Sequence, residues 1–177
     1  MNEIKKVLIT EEQLKARNAE LGRQITEDFK GKDLLAICIL RGSYIFFSDL
    51  TREIELPLEV AFMHAASYFD GTESSGKVNL PDQNMLSVEG KDVLLVEDIV
   101  DSGRTLAALK ATLLKKGVNS LHIVTLLDKP DRRVVDIDVD YSGFVVPDEF
   151  VVGYGLDYDQ RFRNLKYVGI LKEEVYQ

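Results

Sequence analysis

Hydrophobic positions along this chain fall into two alternating kinds of run. Thr10 with Gln13 forms a capping-box pattern, and Leu14, Leu21, Ile25 and Phe29 then recur at helical spacing. Residues 34–40, LLAICIL, are apolar throughout, as in a strand covered on both faces. Arg41, Gly42 and Ser43 interrupt the apolar pattern, and Ile45, Phe46, Leu50 and Ile54 predict a second helix. Residues 58–66 and 93–96 read as further strands. A third helix puts Leu106, Leu109, Leu113 and Leu114 on one face and stops at Gly117, and a strand follows over 121–127. Strand and helix alternate from residue 34 to 127, which predicts an α/β fold with a mainly parallel sheet flanked by helices. Ligands bind such sheets beyond the carboxyl ends of the strands. Arg41, Gly42, residues 97–105 and Lys129 all sit at such ends.

One segment departs from this rhythm. Residues 69–84, FDGTESSGKVNLPDQN, are rich in Gly, Ser, Asn, Asp and Pro, and a loop this long in a compact domain is functional or disordered. Its Gly71 to Lys77 stretch nearly spells a nucleotide-binding loop, but Val78 stands where Ser or Thr is required. The alternating Asp136, Asp138 and Asp140 imitate a calcium loop. Tyr141 replaces its glycine and Pro147 its bidentate glutamate, so the alternation reads as solvent-facing.

Composition narrows the picture. The chain has 177 residues, 45% of them apolar, which suits one domain with a real core. Its net charge of −8 gives no electrostatic footprint for nucleic acid. Its single cysteine, Cys38, lies in the first apolar strand and reads as a buried structural thiol in a reducing compartment. No stretch approaches the roughly 20 apolar residues of a membrane span, and the first residues do not read as a signal peptide. The expectation is a soluble, cytoplasmic protein. His64 and His122, its two histidines, form no zinc cluster.

The chemistry concentrates in residues 93–106, VLLVEDIVDSGRTL. A buried strand delivers adjacent carboxylates, Glu97 and Asp98, and Asp101 follows. Ser102, Gly103, Arg104 and Thr105 then open a helix, whose free N–H groups and positive dipole end make a phosphate cradle. Gly103 allows close backbone approach. Paired carboxylates can accept hydrogen bonds from a vicinal diol and suit a hard cation. The segment therefore wants a phosphate at one end and presents acids at the other, as a phosphorylated ribose requires.

This segment resembles the phosphoribosyl pyrophosphate motif of the type I phosphoribosyltransferases, in the form most similar to their 6-oxopurine (hypoxanthine-guanine) branch. The resemblance spans about residues 34–171. It implies the type I fold, with a small base-binding hood from the termini, as a single domain over residues 1–177. It implies transfer of phosphoribosyl from phosphoribosyl pyrophosphate to hypoxanthine or guanine, with Mg2+, in a homodimer or homotetramer. Glu97 and Asp98 would hold the ribose hydroxyls, residues 102–105 the 5′-phosphate, and Asp101 would face purine N7 as the catalytic general base or proton relay. Leu40, Arg41, Gly42 and Ser43 resemble the pyrophosphate loop, where the peptide before the basic residue is typically cis. Many members carry Lys at the Arg41 position and Gly at the Ser43 position. Ser67 and Tyr68 look like the start of the mobile lid, where they would contact the pyrophosphate while the lid excludes water as charge builds on the sugar. Lys129 would hydrogen-bond the oxygen on purine C6, since lysine only donates. Residues 150–165, FVVGYGLDYDQRFRNL, resemble the base-binding region. Phe150 would stack on the purine and Val151 read its edge through main-chain groups. Asp157 would lie near the base and join Glu97 and Asp98 around the metal, and Arg163 would reach the pyrophosphate. Two other readings share these residues: an enzyme of this fold for xanthine or another base, and a regulator that senses phosphoribosyl pyrophosphate.

Overall fold

The computed structural model describes residues 2–64 and 87–176. The elements run β1 (Ile4–Ile9), α1 (Glu11–Asp28), β2 (Leu34–Leu40), α2 (Tyr44–Arg52), β3 (Glu59–His64), β4 (Asp92–Val100), α3 (Arg104–Leu114), β5 (Ser120–Asp128), β6 (Tyr141–Val145), β7 (Val151–Val152) and β8 (Val168–Leu171). Five strands form a parallel sheet in the order β3-β2-β4-β5-β6. Three form a small antiparallel sheet in the order β1-β8-β7, which brings the two ends of the chain together as a hood.

The all-apolar run of β2 makes sense in this arrangement. Successive strand residues face opposite ways. Leu34, Ala36 and Cys38 join the core under α1 and α2. Leu35, Ile37 and Ile39 join the core under α3. Leu94 and Val96 of β4 divide from Val93 and Leu95 in the same way. Cys38 is buried, and burial pushes its thiol up to about 11, which fits a structural and unreactive role. The capping box at the start of α1 forms in both directions: Gln13 N–H donates to Thr10 Oγ1 at 3.3 Å, and Thr10 N–H donates to Gln13 Oε1 at 2.9 Å.

Several elements differ from the sequence expectation. α2 stops at Arg52, and Ile54 reaches the core from the turn beyond it. There the chain presses on α1 at Gly22, where a Cβ would collide with Glu53. Leu114 is 52% exposed, so the buried face of α3 ends at Leu113. β3 begins at Glu59, one residue after the expected start, and the expected residues 65 and 66 lie outside the described residues. β4 runs on through Glu97 and Asp98 to Val100, because its pairing with β5 continues through Ile99 and Leu127. β1 was not foreseen. Its only buried residue is Ile9, and its pairing partner β8 lies at the other end of the chain.

The strand order fixes where a ligand can sit. From β2 the chain passes to β3 on one side, then returns to β4 on the other. The crevice at such a reversal is the usual ligand site of an open α/β sheet. Here it lies between the end of β2, at Leu40, and the end of β4, at Val100.

Candidate functional site

Among the described residues, two clefts open at the carboxyl edge of the sheet. The first, about 340 Å3, is lined by Arg41 and Gly42 from the end of β2, by Glu97, Asp98 and Asp101, and by Ser102, Gly103 and Thr105. The second, about 470 Å3, is lined by Lys129, Arg132, Phe150, Val151 and Tyr176, among others. Both include Ile99 and Asp101 in their walls. Asp101 thus stands where an acid-and-anion cleft meets one with an aromatic ring and a lysine.

In the first cleft, Gly103 adopts a left-handed conformation (φ +80°) at the N-cap of α3, and Arg104 N–H donates to Ser102 Oγ at 3.4 Å. A side chain at residue 103 would be strained, and it would meet Ile137 Cγ2 at 2.9 Å. The turn is braced from behind: Val134 and Val135 N–H groups donate to Ser102 O at 3.1 and 3.2 Å, and Arg133 Nη1 donates to Asp101 O at 3.2 Å. Arg133 itself pairs with Asp128. The phosphate-type turn is therefore held by residues 133–135, which the sequence reading did not single out. Arg104 is exposed and lines neither cleft.

The acid pair lies at the root of this cleft, Glu97 buried and Asp98 half-buried. Glu97 Oε1 accepts from Asp98 N–H at 3.1 Å, and Asp98 Oδ1 accepts from Ile99 N–H at 2.8 Å. Burial, then the neighbouring Asp98 charge, pushes the Glu97 carboxyl well above its ordinary value. Burial raises Asp98 too, against the opposing hydrogen bond with Glu97, the Ile99 N–H and the charge of Arg163. Ionising both carboxyls is therefore costly in this site, and a cation beside them would offset that cost.

The loop after β2 packs directly on this pair. The Leu40–Arg41 peptide is cis. A Cβ on Gly42 would fall on the Asp98 carboxylate, so only glycine fits that close approach. On its other side Gly42 O lies against Gly155, whose φ of +105° belongs to the left-handed region. Ser43 is fully buried, and its hydroxyl donates to Ile39 O at 2.5 Å and lies 3.2 Å from Cys38 Sγ, tying the loop to the strand it leaves. Arg41 and Arg163 meet at Gln160, whose Oε1 accepts from Arg41 Nη1 at 3.2 Å and Arg163 Nη2 at 3.0 Å. Arg163 Nη2 also pairs with Asp157 Oδ1 at 2.7 Å. Gln160 was missed, because nothing in its local sequence marks it as a bridge between distant arginines.

In the second cleft, Lys129 is nearly buried and donates to Glu149 O at 2.8 Å, with Asp148 Oδ1 3.6 Å away. Arg132 Nε donates to Asp101 Oδ1 at 2.8 Å, and its Nη1 reaches Asp148 at 3.2 Å. Pro130 opens the short helical turn that presents Arg132. The Arg132 clasp is a feature the sequence reading missed. Phe150 is 37% exposed, and Val151 is buried in β7.

Most of the expected residues thus converge. Arg104 and Asp157 are partial exceptions: Arg104 lines neither cleft, and Asp157 is held by Arg163 and by Gln160 N–H at 2.8 Å. Among the described residues no three His, Cys, Asp or Glu side chains come together as a metal cage. Ser67, Tyr68 and the expected lid lie outside the described residues. No described helix is long and apolar enough to cross a membrane.

Comparison with known proteins agrees with this geometry. The phosphoribosyl transferase domain family matches residues 8–159. The chain is 51% identical, over 99% of its length and 98% of the relative's, to a hypoxanthine-guanine phosphoribosyltransferase of Staphylococcus aureus. It is 50% identical to the bifunctional protein TilS/HprT of Listeria monocytogenes, and there it spans 27% of the relative's length. A crystal structure of a hypoxanthine phosphoribosyltransferase from Staphylococcus aureus superposes with a TM-score of 0.92 at 50% identity, covering 99% of this chain and 96% of that one. One from Trypanosoma cruzi, in a ternary substrates complex, superposes with a TM-score of 0.92 at 38% identity over both full chains.

Proposed function

The chain belongs to the phosphoribosyltransferase family, and from that premise we propose that it transfers the phosphoribosyl group of phosphoribosyl pyrophosphate to hypoxanthine or guanine, giving IMP or GMP and pyrophosphate. The observation that carries the proposal is the meeting of two unlike clefts at Asp101. One is furnished for a phosphorylated sugar, the other for a flat base with an oxygen to be recognised.

Residues 102–105 hold the 5′-phosphate on the N-terminus of α3. Glu97 and Asp98 accept hydrogen bonds from the ribose diol. Arg163 and Arg41, aligned through Gln160, face the pyrophosphate beside Gly42. Phe150 supplies a stacking surface, Val151 main-chain contacts and Lys129 a donor to the purine oxygen. In the reaction, purine N9 bonds to ribose C1 as the bond from C1 to the pyrophosphate oxygen breaks, and Asp101 accepts the N7 proton. Asp101 Oδ1 must exchange Arg132 for the base, an exchange between exposed partners that costs little. Catalysis of this kind is mainly positioning and electrostatics.

Magnesium fits the residues present. Adjacent carboxyls whose ionisation is costly suit an ion that takes one or two carboxylates and completes its shell with substrate oxygens. Glu97 and Asp98 would hold it, with Asp157 in its outer surroundings. When bound, it would neutralise charge on the departing pyrophosphate.

The protein acts as a cytoplasmic homodimer or homotetramer in this reading, without nucleic acid or membrane. Tyr44 on α2 and Val60 and Phe62 on β3 are large apolar side chains exposed to solvent, which supports self-association. The test of function is direct. The protein is incubated with phosphoribosyl pyrophosphate and Mg2+, hypoxanthine, guanine, xanthine, adenine and uracil are offered separately, and nucleotide is quantified by chromatography. Product with hypoxanthine or guanine is expected. Product only with another base would overturn the roles of Lys129 and Phe150, and no product with any base would favour a sensor of phosphoribosyl pyrophosphate.

A further inference from the structure

On the purine side, the groups that the proposed reaction uses already have partners within the chain. Lys129 has Glu149 O and Asp101 has Arg132. Phe150 has a ring: Tyr176 stacks on it with centroids 4.9 Å apart and planes inclined by 23°. The first two are polar contacts that a base can exchange in kind. The third has the geometry that a purine would itself adopt on Phe150.

We propose that Tyr176 is an internal competitor of the purine, sets base affinity by occupying the Phe150 face on which the base stacks, and must swing away for the base to bind. This rests on the reading of Phe150 as the base platform. Tyr176 lines the same cleft as Lys129 and Asp101, so its ring stands on the side from which the base approaches. Tyr158 meets Phe150 at 87°, a T-shaped contact that supports the ring from another direction.

The attachment of Tyr176 suits displacement. It follows β8 through a short helical turn, Glu173–Val175, with no buried residue. Its own N–H donates to Glu173 O at 3.1 Å, and Val175 N–H donates to Lys172 O at 3.1 Å. Lys172 N–H is tied to Glu3 O at 3.0 Å, which fixes the base of the turn to the start of the hood. Opening of the segment after Lys172 therefore breaks local turn bonds and the packing of half-buried Val175 and Tyr176 on the hood core, and leaves the pairing of β8 with β1 and β7 intact.

A competitor of this kind has a distinctive signature. The apparent affinity for a base falls by the fraction of enzyme in which the platform is free. That fraction is fixed before the base arrives, so the penalty is the same for every base. A tyrosine that instead formed a wall against the bound base would weigh bases by their shape and strengthen binding.

The experiment compares the full chain with Tyr176→Ala, Tyr176→Phe and Phe150→Ala, and measures KM for hypoxanthine and for guanine at saturating phosphoribosyl pyrophosphate and Mg2+. Tyr176→Ala is expected to lower both KM values by one common factor, about 2- to 10-fold from the strength of an aromatic pair. Tyr176→Phe, which keeps the stack, is expected to stay near the parent, as is KM for phosphoribosyl pyrophosphate in both variants. Unchanged or raised KM values in Tyr176→Ala, or a change for one base alone, would overturn the proposal. The functional reading is judged separately: it fails if the parent converts neither base. It stands if the parent turns over and Phe150→Ala loses base affinity, whatever Tyr176→Ala does.

Discussion

The hood must be held in register with the sheet for the two clefts to meet, and a buried polar bridge joins the apolar core in holding it. Tyr154 lies in the base-binding segment, beside Gly155 and its contact with the loop after β2. Its hydroxyl donates to Asp49 Oδ2 of α2 at 2.6 Å and accepts from Asn18 Nδ2 of α1 at 2.7 Å. Burial and the Asp49 charge raise the phenol far above its ordinary value, so it stays a donor at every working pH. Asn18 is 2% exposed, and its Oδ1 has no partner among the described residues. Tyr154→Phe keeps the ring and deletes both bonds. It strands a buried amide donor, at about 1–3 kcal/mol, and removes a hydrogen bond to a charged group, so a total of about 2–4 kcal/mol is expected. A chain of this size loses roughly 2–4 °C for each kcal/mol, which predicts a fall in melting temperature of roughly 4–16 °C. The assay is thermal unfolding followed by circular dichroism or calorimetry, on Tyr154→Phe, Asn18→Leu and the double variant. The second change should cost much less in the presence of the first, since the two share one bond. A melting temperature within about 1 °C of the parent, or strict additivity, would refute the reasoning, because the bridge would then carry no net stability.

Three further outcomes follow from the site. Asp101→Asn is expected to lower turnover about 10²- to 10⁴-fold with KM for phosphoribosyl pyrophosphate unchanged; full turnover in steady-state assays would remove Asp101 from its role. Lys129→Ala is expected to raise KM for hypoxanthine about 10- to 100-fold, and an unchanged value would count against the contact. Glu97→Gln is expected to raise the melting temperature at neutral pH in the presence of a chelator. The folded chain raises the Glu97 carboxyl, so ionisation favours the unfolded state; the penalty is full above the folded value and disappears as pH falls below the ordinary glutamate value of about 4.3. The gain should therefore vanish in acid, and a gain that persists there would mean that charge is not its cause.

The parts legible from sequence were those written locally. Residues 93–106 carry strand, acid pair and phosphate turn in one run, and each step follows from near neighbours. The apolar run at 34–40 implied burial on both faces before any partner was known. The capping box of α1 was legible for the same reason. What escaped was written across the chain. Glu97 and Asp98 looked like residues past a strand end, because only the partner β5 shows that β4 continues beneath them. β1 has little alternation of its own and becomes a strand only when β8 arrives. The bridge of Asn18, Asp49 and Tyr154 joins residues separated by more than a hundred positions, as does that of Arg41 with Gln160. Arg132 sits within the quoted stretch around Lys129, yet only the fold turns it toward Asp101. Tyr176 gave no signal of spacing or composition, since its stack on Phe150 is purely a long-range contact.

The central claim, that the phosphate turn and the purine platform form one site joined at Asp101, is tested most directly by a crystal structure of the protein with bound GMP. The account predicts the 5′-phosphate on residues 102–105, the ribose hydroxyls at Glu97 and Asp98, and the guanine stacked on Phe150 with its oxygen bonded to Lys129 and N7 facing Asp101. A nucleotide bound with its phosphate away from the start of α3, or with its base outside the cleft of Lys129 and Phe150, would contradict it.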